Sequence, residues 1–263
     1  MERSTPIDIT ILHLPTVDST NAYAKLHQKE LADGTLVVAD SQSAGRGRLG
    51  RRWVSPPGKN FYGTLLLKRL EHPFDGTMVI SLAALAVLRE LAPELPVWLK
   101  WPNDLYVGAG KLAGVLSEAV AIVSGPPAVI TGMGVNLNLA EEELAAIDRP
   151  ASSVLAAVGR EINPLFFASE LAKRIKSYYI MGIYCRSALF ASWRTANRII
   201  GAEVELDLSS GEPVRGHAAG IAEDGALLVR SAAGTVEAYY CGDVTVSRES
   251  VRKIAETLTG GRK

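Results

Sequence analysis

Between Ser41 and Gly63 the chain reads Ser-Gln-Ser-Ala-Gly-Arg-Gly-Arg-Leu-Gly-Arg-Arg-Trp-Val-Ser-Pro-Pro-Gly-Lys-Asn-Phe-Tyr-Gly. It carries Arg46, Arg48, Arg51, Arg52 and Lys59, and no acid falls between Asp40 and Glu71. Guanidinium forks match carboxylate and phosphate oxygens two bonds at a time, and glycine frees the backbone for unusual dihedrals. Arginines alone read first as a solvated face. Gly45, Gly47 and Gly50 shift the reading to a backbone that wraps a small, highly charged anion. Gly45-x-Gly47-x-x-Gly50 formally matches the dinucleotide fingerprint, which needs a strand before it and a helix after it. Trp53, Pro56, Pro57 and Gly58 leave no room for that helix. Gly108-Ala109-Gly110-Lys111-Leu112 lacks both the spacing and the hydroxyl of a Walker loop.

A second informative stretch is Lys100-Trp101-Pro102-Asn103-Asp104-Leu105-Tyr106, followed by Lys111-Leu112-Ala113-Gly114-Val115-Leu116-Ser117-Glu118. Two strands joined by a short turn would put Lys100, Asp104 and Lys111 at strand ends, although a turn lysine taken alone is more often solvated. A third, Gly132-Met133-Gly134-Val135-Asn136-Leu137-Asn138, suits either backbone passing close to a ligand or a bulged strand end. Trp53 and Trp101 read equally as core aromatics or as ligand walls.

Around these segments the pattern requires a mixed α+β scaffold. Strands are expected at Ile7 to Leu14, Thr35 to Asp40, Phe61 to Leu67, Val97 to Lys100, Asp104 to Val107, Leu112 to Glu118 and Ala128 to Asn136. Helices are expected at Asn21 to Leu31, capped by a hydroxyl of Asp18-Ser19-Thr20, at Gly76 to Leu91, and from Pro164 to about Asn197. This order implies a mixed, mostly antiparallel sheet with helices packed on it, rather than a doubly wound parallel one. Beyond Ile199, short alternating segments split by Ser-Gly, Asp-Gly and Ala-Gly turns imply a small SH3-like β-barrel. The expected division is 1–198, 199–248 and a helical or frayed tail, 249–263, carrying Arg252, Lys253, Arg262 and Lys263.

Twenty-eight basic residues balance 28 acidic ones, which does not suit a protein that coats DNA or an anionic membrane. Cys185 and Cys241 have no zinc-site spacing, so a reducing, cytoplasmic setting is expected. Met1 to Leu14 has no long apolar core, which argues against a signal peptide, and no membrane span is expected.

Taken together, Asp18-Ser19-Thr20-Asn21, Gln42-x-x-Gly45-Arg46-Gly47-Arg48-x-Gly50-Arg51-x-Trp53-x-Ser55-Pro56, Lys100-Trp-Pro-Asn-Asp104, Lys111-Leu-x-Gly114 and Gly132-x-Gly134-Val-Asn136 resemble the biotin protein ligase family, in order and at matching separations. The resemblance is strong from Ile9 to about Asn138, weaker over the helical part, and positional over the small barrel. It implies the biotin/lipoate ligase catalytic fold and an ATP-dependent reaction in two steps: biotinyl-5′-AMP forms with release of pyrophosphate, and a carrier lysine then takes the biotinyl group. By residue match, Ser19, Thr20, Asn21, Gln42, Gly45, Arg46, Gly47, Arg48 and Lys111 would face biotin. Arg46, Arg48, Arg51, Trp53, Asn103, Lys111 and Asn136 would face ATP or the adenylate. Lys111 and Arg48 would act at the reacting groups, and Asp104 would help hold Mg2+. The implied acceptor is the biotin carboxyl carrier domain of acetyl-CoA carboxylase or a related carboxylase, and a homodimer is compatible with the family.

Some bacterial members carry a DNA-binding winged helix before the first catalytic strand. Here the catalytic pattern begins almost at once, so neither DNA binding nor repression is expected. After Asn138 the chain turns acidic, with no obvious aromatic for adenine. A lipoate or octanoate ligase of the same superfamily is the nearest alternative. An octanoyl transferase would need an active-site cysteine, and Cys185 and Cys241 lie outside the motifs. A noncatalytic biotin-binding regulator would not need Lys111 and the arginine loop.

Overall fold

Helix α2 (Pro73–Leu91) is apolar on nearly every side because it is enclosed: every residue from Asp75 to Leu88 except Ala86 is buried. Pro73 stands at its first turn, where a missing N–H costs nothing. The structure is a computed structural model that describes residues 7–70, 72–121, 128–208 and 212–260.

Against α2 lies a seven-stranded sheet, ordered β1 (Thr10–Val17), β2 (Thr35–Gln42), β3 (Phe61–Leu67), β7 (Ala128–Val135), β6 (Gly110–Val120), β5 (Asp104–Val107) and β4 (Val97–Lys100). Only β1 and β2 run parallel; the other neighbours are antiparallel. The expected mixed, mostly antiparallel sheet is therefore present. Alternation along β2 sends Leu36 and Val38 into the large core with α2, and Val37 to the opposite face with Ala24 of α1 (Thr20–Leu26). Helix α5 (Pro164–Tyr184) packs on α2, and α6 (Arg186–Ala196) follows a break at Cys185.

The small unit is a five-stranded antiparallel sheet ordered β11 (Val236–Tyr239), β10 (Leu227–Arg230), β9 (Val214–Ile221), β8 (Glu203–Asp207) and β12 (Asp243–Val246). Its buried Val204, Leu206, Ala218, Leu227 and Val244 join the same apolar cluster as α2. Trp101 reaches across to it, with Nε1 donating to the Gly225 carbonyl at 2.8 Å. Helix α7 (Arg248–Gly260) rests Ile254 and Leu258 on the core. Arg262 and Lys263 of the expected tail lie outside the described residues.

Several expected boundaries differ. Strand β1 starts at Thr10 rather than Ile7. Helix α1 ends at Leu26 rather than Leu31, since residues 27–31 turn to bring Leu31 onto the small cluster beside Ala24. Ser19 occupies the N-cap position, but its hydroxyl makes no capping bond. Two short helices, α3 (Glu141–Ala145) and α4 (Val154–Val158), were not expected, because five residues are too few to show a helical period. Among the described residues, no helix is long and apolar enough to cross a membrane.

Candidate functional site

The arginine loop leaves β2 at Gln42 and returns to β3 at Phe61. It is closed on itself: Gly47 N–H donates to the Arg51 carbonyl at 2.7 Å, and Trp53 N–H to the Gly45 carbonyl at 2.9 Å. Two of its three glycines are required by the loop's own shape. Gly50 has φ +71°, a left-handed backbone that suits glycine, and a Cβ on Gly45 would lie 2.6 Å from the Trp53 carbonyl oxygen. Gly47 is extended, and a Cβ there would meet nothing closer than 3.6 Å.

The loop delivers Trp53 onto a glycine floor. A Cβ at Gly134 of β7 would run into the Trp53 indole, and one at Gly114 of β6 would lie 2.9 Å from Lys111 Nζ. The ammonium of Lys111 sits 5.7 Å from the Trp53 ring centroid and 2.6 Å from Asp104 Oδ1. Arg48 Nη1 donates to Asn103 Oδ1 at 2.9 Å, and Asn103 Nδ2 donates to the Val115 carbonyl. Lys111, Asp104, Trp53, Asn103 and Arg48 thus share one end of the sheet. Trp53 Nε1 is buried with no hydrogen-bond partner among the described residues, and Asp104 Oδ1 is buried with the Lys111 ammonium as its neighbour. Gly134→Ala should force the indole off this floor at an overpacking cost of about 1–3 kcal/mol, lowering Tm by roughly 3–8 °C in a thermal melt.

A second group adjoins the first. Ser19 and Thr20 are buried at the start of α1. Thr20 N–H donates to Gln42 Oε1 at 2.9 Å, and Gln42 Nε2 donates to Ser55 Oγ of the loop at 3.0 Å. Asn21 differs from the others: Nδ2 donates to the Leu116 carbonyl and to Glu118 Oε2, and Oδ1 lies 2.7 Å from Thr64 Oγ1. Its amide is engaged by protein at both ends. A Cβ at Gly132 would collide with it, so that glycine serves Asn21 rather than a ligand.

Asn136, also buried, donates from Nδ2 to the Ser152 carbonyl at 3.1 Å and to the Lys111 carbonyl at 3.4 Å. Lys111 itself pairs through its backbone with the strap between α3 and α4, its N–H donating to Pro150 and its carbonyl accepting from Ser152, both at 3.0 Å. That strap borders an open cleft of about 620 Å3 lined by Leu144, Ile147, Arg149 and Ala151. Arg46 is exposed, and Arg51 pairs with Asp243 of the small sheet. The strap's contact with Lys111, Thr64 and Asp243 escaped sequence reasoning. The strap acts through backbone groups, which carry no residue signature, and the other two belong to no charged or glycine-rich pattern of their own.

Beside the cluster, Lys100 Nζ donates to Tyr106 OH at 2.9 Å and lies 4.3 Å over that ring. Burial pushes its ammonium down to about 8, with Asp104 opposing the shift and Lys111 adding to it. The folded state therefore resists the charge: the contribution of Lys100 to stability should be least favourable below pH 8 and improve between pH 8 and the ordinary lysine value of 10.5. Lys100→Met should flatten that rise and add about 2 kcal/mol at pH 7, allowing for solvent at the tip, as read from denaturant midpoints between pH 7 and 10.

Among the described residues, no three His, Cys, Asp or Glu groups gather as a metal cage. Asp104, a lone carboxylate beside Lys111, fits only a cation whose other ligands are phosphate oxygens and water.

The profile of the biotin/lipoate A/B protein ligase family matches residues 14–136, and that of the biotin protein ligase C terminal domain matches residues 199–247. The biotin--[acetyl-CoA-carboxylase] ligase of Paracoccus denitrificans is 33% identical over 228 residues, covering 84% of this chain and 94% of that protein. Its counterpart in Mycobacterium tuberculosis is 33% identical over 218 residues, covering 81% and 79%. The structure of a biotin protein ligase from Aquifex aeolicus in complex with biotin and ATP superposes with a TM-score of 0.74 at 28% identity, covering 91% of this chain and 99% of that one.

Proposed function

This chain belongs to the biotin protein ligase family, and from that membership and the site's geometry we propose that it activates biotin with ATP to biotinyl-5′-AMP and passes the biotinyl group to a lysine of a carboxylase's biotin carrier domain. The single observation that carries the reading is the convergence of Lys111, Arg48 and Trp53 at one glycine-floored end of the sheet. In the first step a carboxylate oxygen bonds to the α-phosphorus and pyrophosphate leaves. In the second the neutral amine of the carrier lysine bonds to the acyl carbon, AMP leaves, and the amine's proton goes to solvent. Neither step needs an enzyme nucleophile, so the protein's contribution is positioning and charge stabilisation.

We assign Lys111 and Arg48 to the reacting carboxylate and α-phosphate, where negative charge grows. Ser19, Thr20 and Gln42 supply polar groups for biotin, with Gly45, Arg46 and Gly47 lending backbone along the loop. Asn21 supports that pocket by fixing α1 to β6. Trp53 walls the adenylate, Asn103 orients Arg48, Asn136 ties Lys111 to the strap, and Arg46 and Arg51 meet phosphate oxygens. Asp104 would hold Mg2+, which neutralises phosphate charge when bound.

The proposal extends to a catalytic unit over 1–198 and an accessory unit over 199–248. It places the reaction in the cytoplasm, which suits the two free cysteines. It also includes a homodimer through β1, which among the described residues is an edge strand paired only with β2. The test is mass spectrometry of a carrier domain incubated with the protein, ATP, Mg2+ and biotin. One biotinyl group on one lysine is expected. Modification only when lipoate or octanoate replaces biotin would favour the alternative, and no modification with any of them would refute the ligase reading.

A further inference from the structure

Asp243, the first residue of β12, is the small sheet's contribution to the neighbourhood of Lys111. Its Oδ2 accepts from Arg51 Nη1 and, at 3.3 Å, from Arg149 Nη1. Arg51 closes the 310 turn of the arginine loop. Arg149 immediately precedes Pro150, whose carbonyl takes the Lys111 N–H. One carboxylate oxygen therefore joins the two segments that flank Lys111, and it does so from another sheet.

The side chains of Arg51, Asp243 and Arg149 are 35%, 38% and 52% exposed, and pairs so open to water contribute little to global stability. What such a bridge does supply is orientation. Burial alone would raise the Asp243 carboxyl, yet the guanidinium groups of Arg51 and Arg149 hold it below the ordinary carboxylate range, so it stays an anion throughout the neutral range. Arg51 has five N–H donors, and the bridge to Asp243 engages only one corner of its fork.

We infer that Asp243 is a positioning residue, holding the arginine loop and the 149–152 strap in place for a nucleotide's phosphates without touching the nucleotide itself. The substrate side of this inference rests on the ligase reading above; the positional side does not. It gives the small sheet a task in the first step of the reaction, separate from any contact with the carrier.

The test uses the full chain with Asp243→Asn and Asp243→Glu. Trypsin cleavage of the native protein between Arg46 and Arg52 should be about five times faster in the asparagine variant and close to normal in the glutamate variant, as expected for losing and keeping a modest charge pair. In biotin-dependent ATP–pyrophosphate exchange, the asparagine variant should raise KM for ATP by about five- to tenfold, leave KM for biotin within about twofold, and be rescued by glutamate. Arg149→Gln breaks the bridge from its other end. It should show the same rise, with the double variant no worse than either single one, so the inference stays testable if Asp243→Asn melts early. Unchanged cleavage and unchanged KM would overturn the inference, as would a fall in KM for ATP, which would make the carboxylate a competitor of the phosphates. Failure of the wild-type protein to exchange pyrophosphate with biotin would sink the ligase reading instead, and the trypsin comparison would still decide whether Asp243 holds the loop.

Discussion

Replacing Lys111 with methionine is expected to cut biotinyl-adenylate formation by about a thousandfold. A cation about 4 Å from a unit negative charge, at an effective dielectric near 20, contributes about 4 kcal/mol, or three powers of ten in rate. Methionine keeps an unbranched stem over Gly114 and removes the ammonium with its charge and N–H donors. The variant also strands Asp104, whose side chain is 14% exposed and 2.6 Å from the missing ammonium, so a loss of stability is expected along with the loss of rate. The double variant Lys111→Met/Asp104→Asn separates the two effects. It should recover most of the melting temperature and none of the adenylation rate in single-turnover assays with labelled ATP. Recovery of both together would show that Lys111 acts only by satisfying Asp104.

The second large effect concerns retention rather than formation. Arg48→Gly removes a guanidinium held 2.9 Å from Asn103 Oδ1. It also removes charge-assisted bonds worth about 2–3 kcal/mol to a bound adenylate. Biotinyl-AMP should then escape roughly thirty- to a hundred-and-fiftyfold faster. Free adenylate can be measured by rapid filtration, and stray biotinylation of lysines on bystander proteins by blotting. No increase in either would remove Arg48 from the role of shielding the intermediate from water.

Much of the scaffold was legible because apolar runs and punctuation agree. Phe61 to Leu67 is a buried strand at the boundaries its sequence implies, and Pro93 and Pro96 stop α2 where proline must. The motif residues were legible as a group, but their individual duties were not. Trp53 and Trp101 are chemically identical, and only burial separates them. Trp101 is 1% exposed and bonded to Gly225, whereas Trp53 is half-buried with an unpartnered N–H and Lys111 against its ring. Asn21 sits inside a ligand-facing motif yet is held by Leu116, Glu118 and Thr64, all distant in sequence. The strap left no trace because Pro150 and Ser152 reach Lys111 through main-chain atoms, and α3 and α4 are too short to show periodicity. Asp243 stands alone after Cys241 and Gly242, and only the closeness of the two sheets gives it partners.

The most direct test of the central claim, that Lys111 and the arginine loop stabilise an acyl phosphate made from biotin and ATP, is exchange of labelled pyrophosphate into ATP with biotin, lipoate or octanoate as the acid. Exchange with biotin, little with the other two, and near-complete loss of the biotin signal in Lys111→Met are expected. Equal exchange with lipoate, or a Lys111→Met variant that exchanges as well as the parent protein, would contradict that claim.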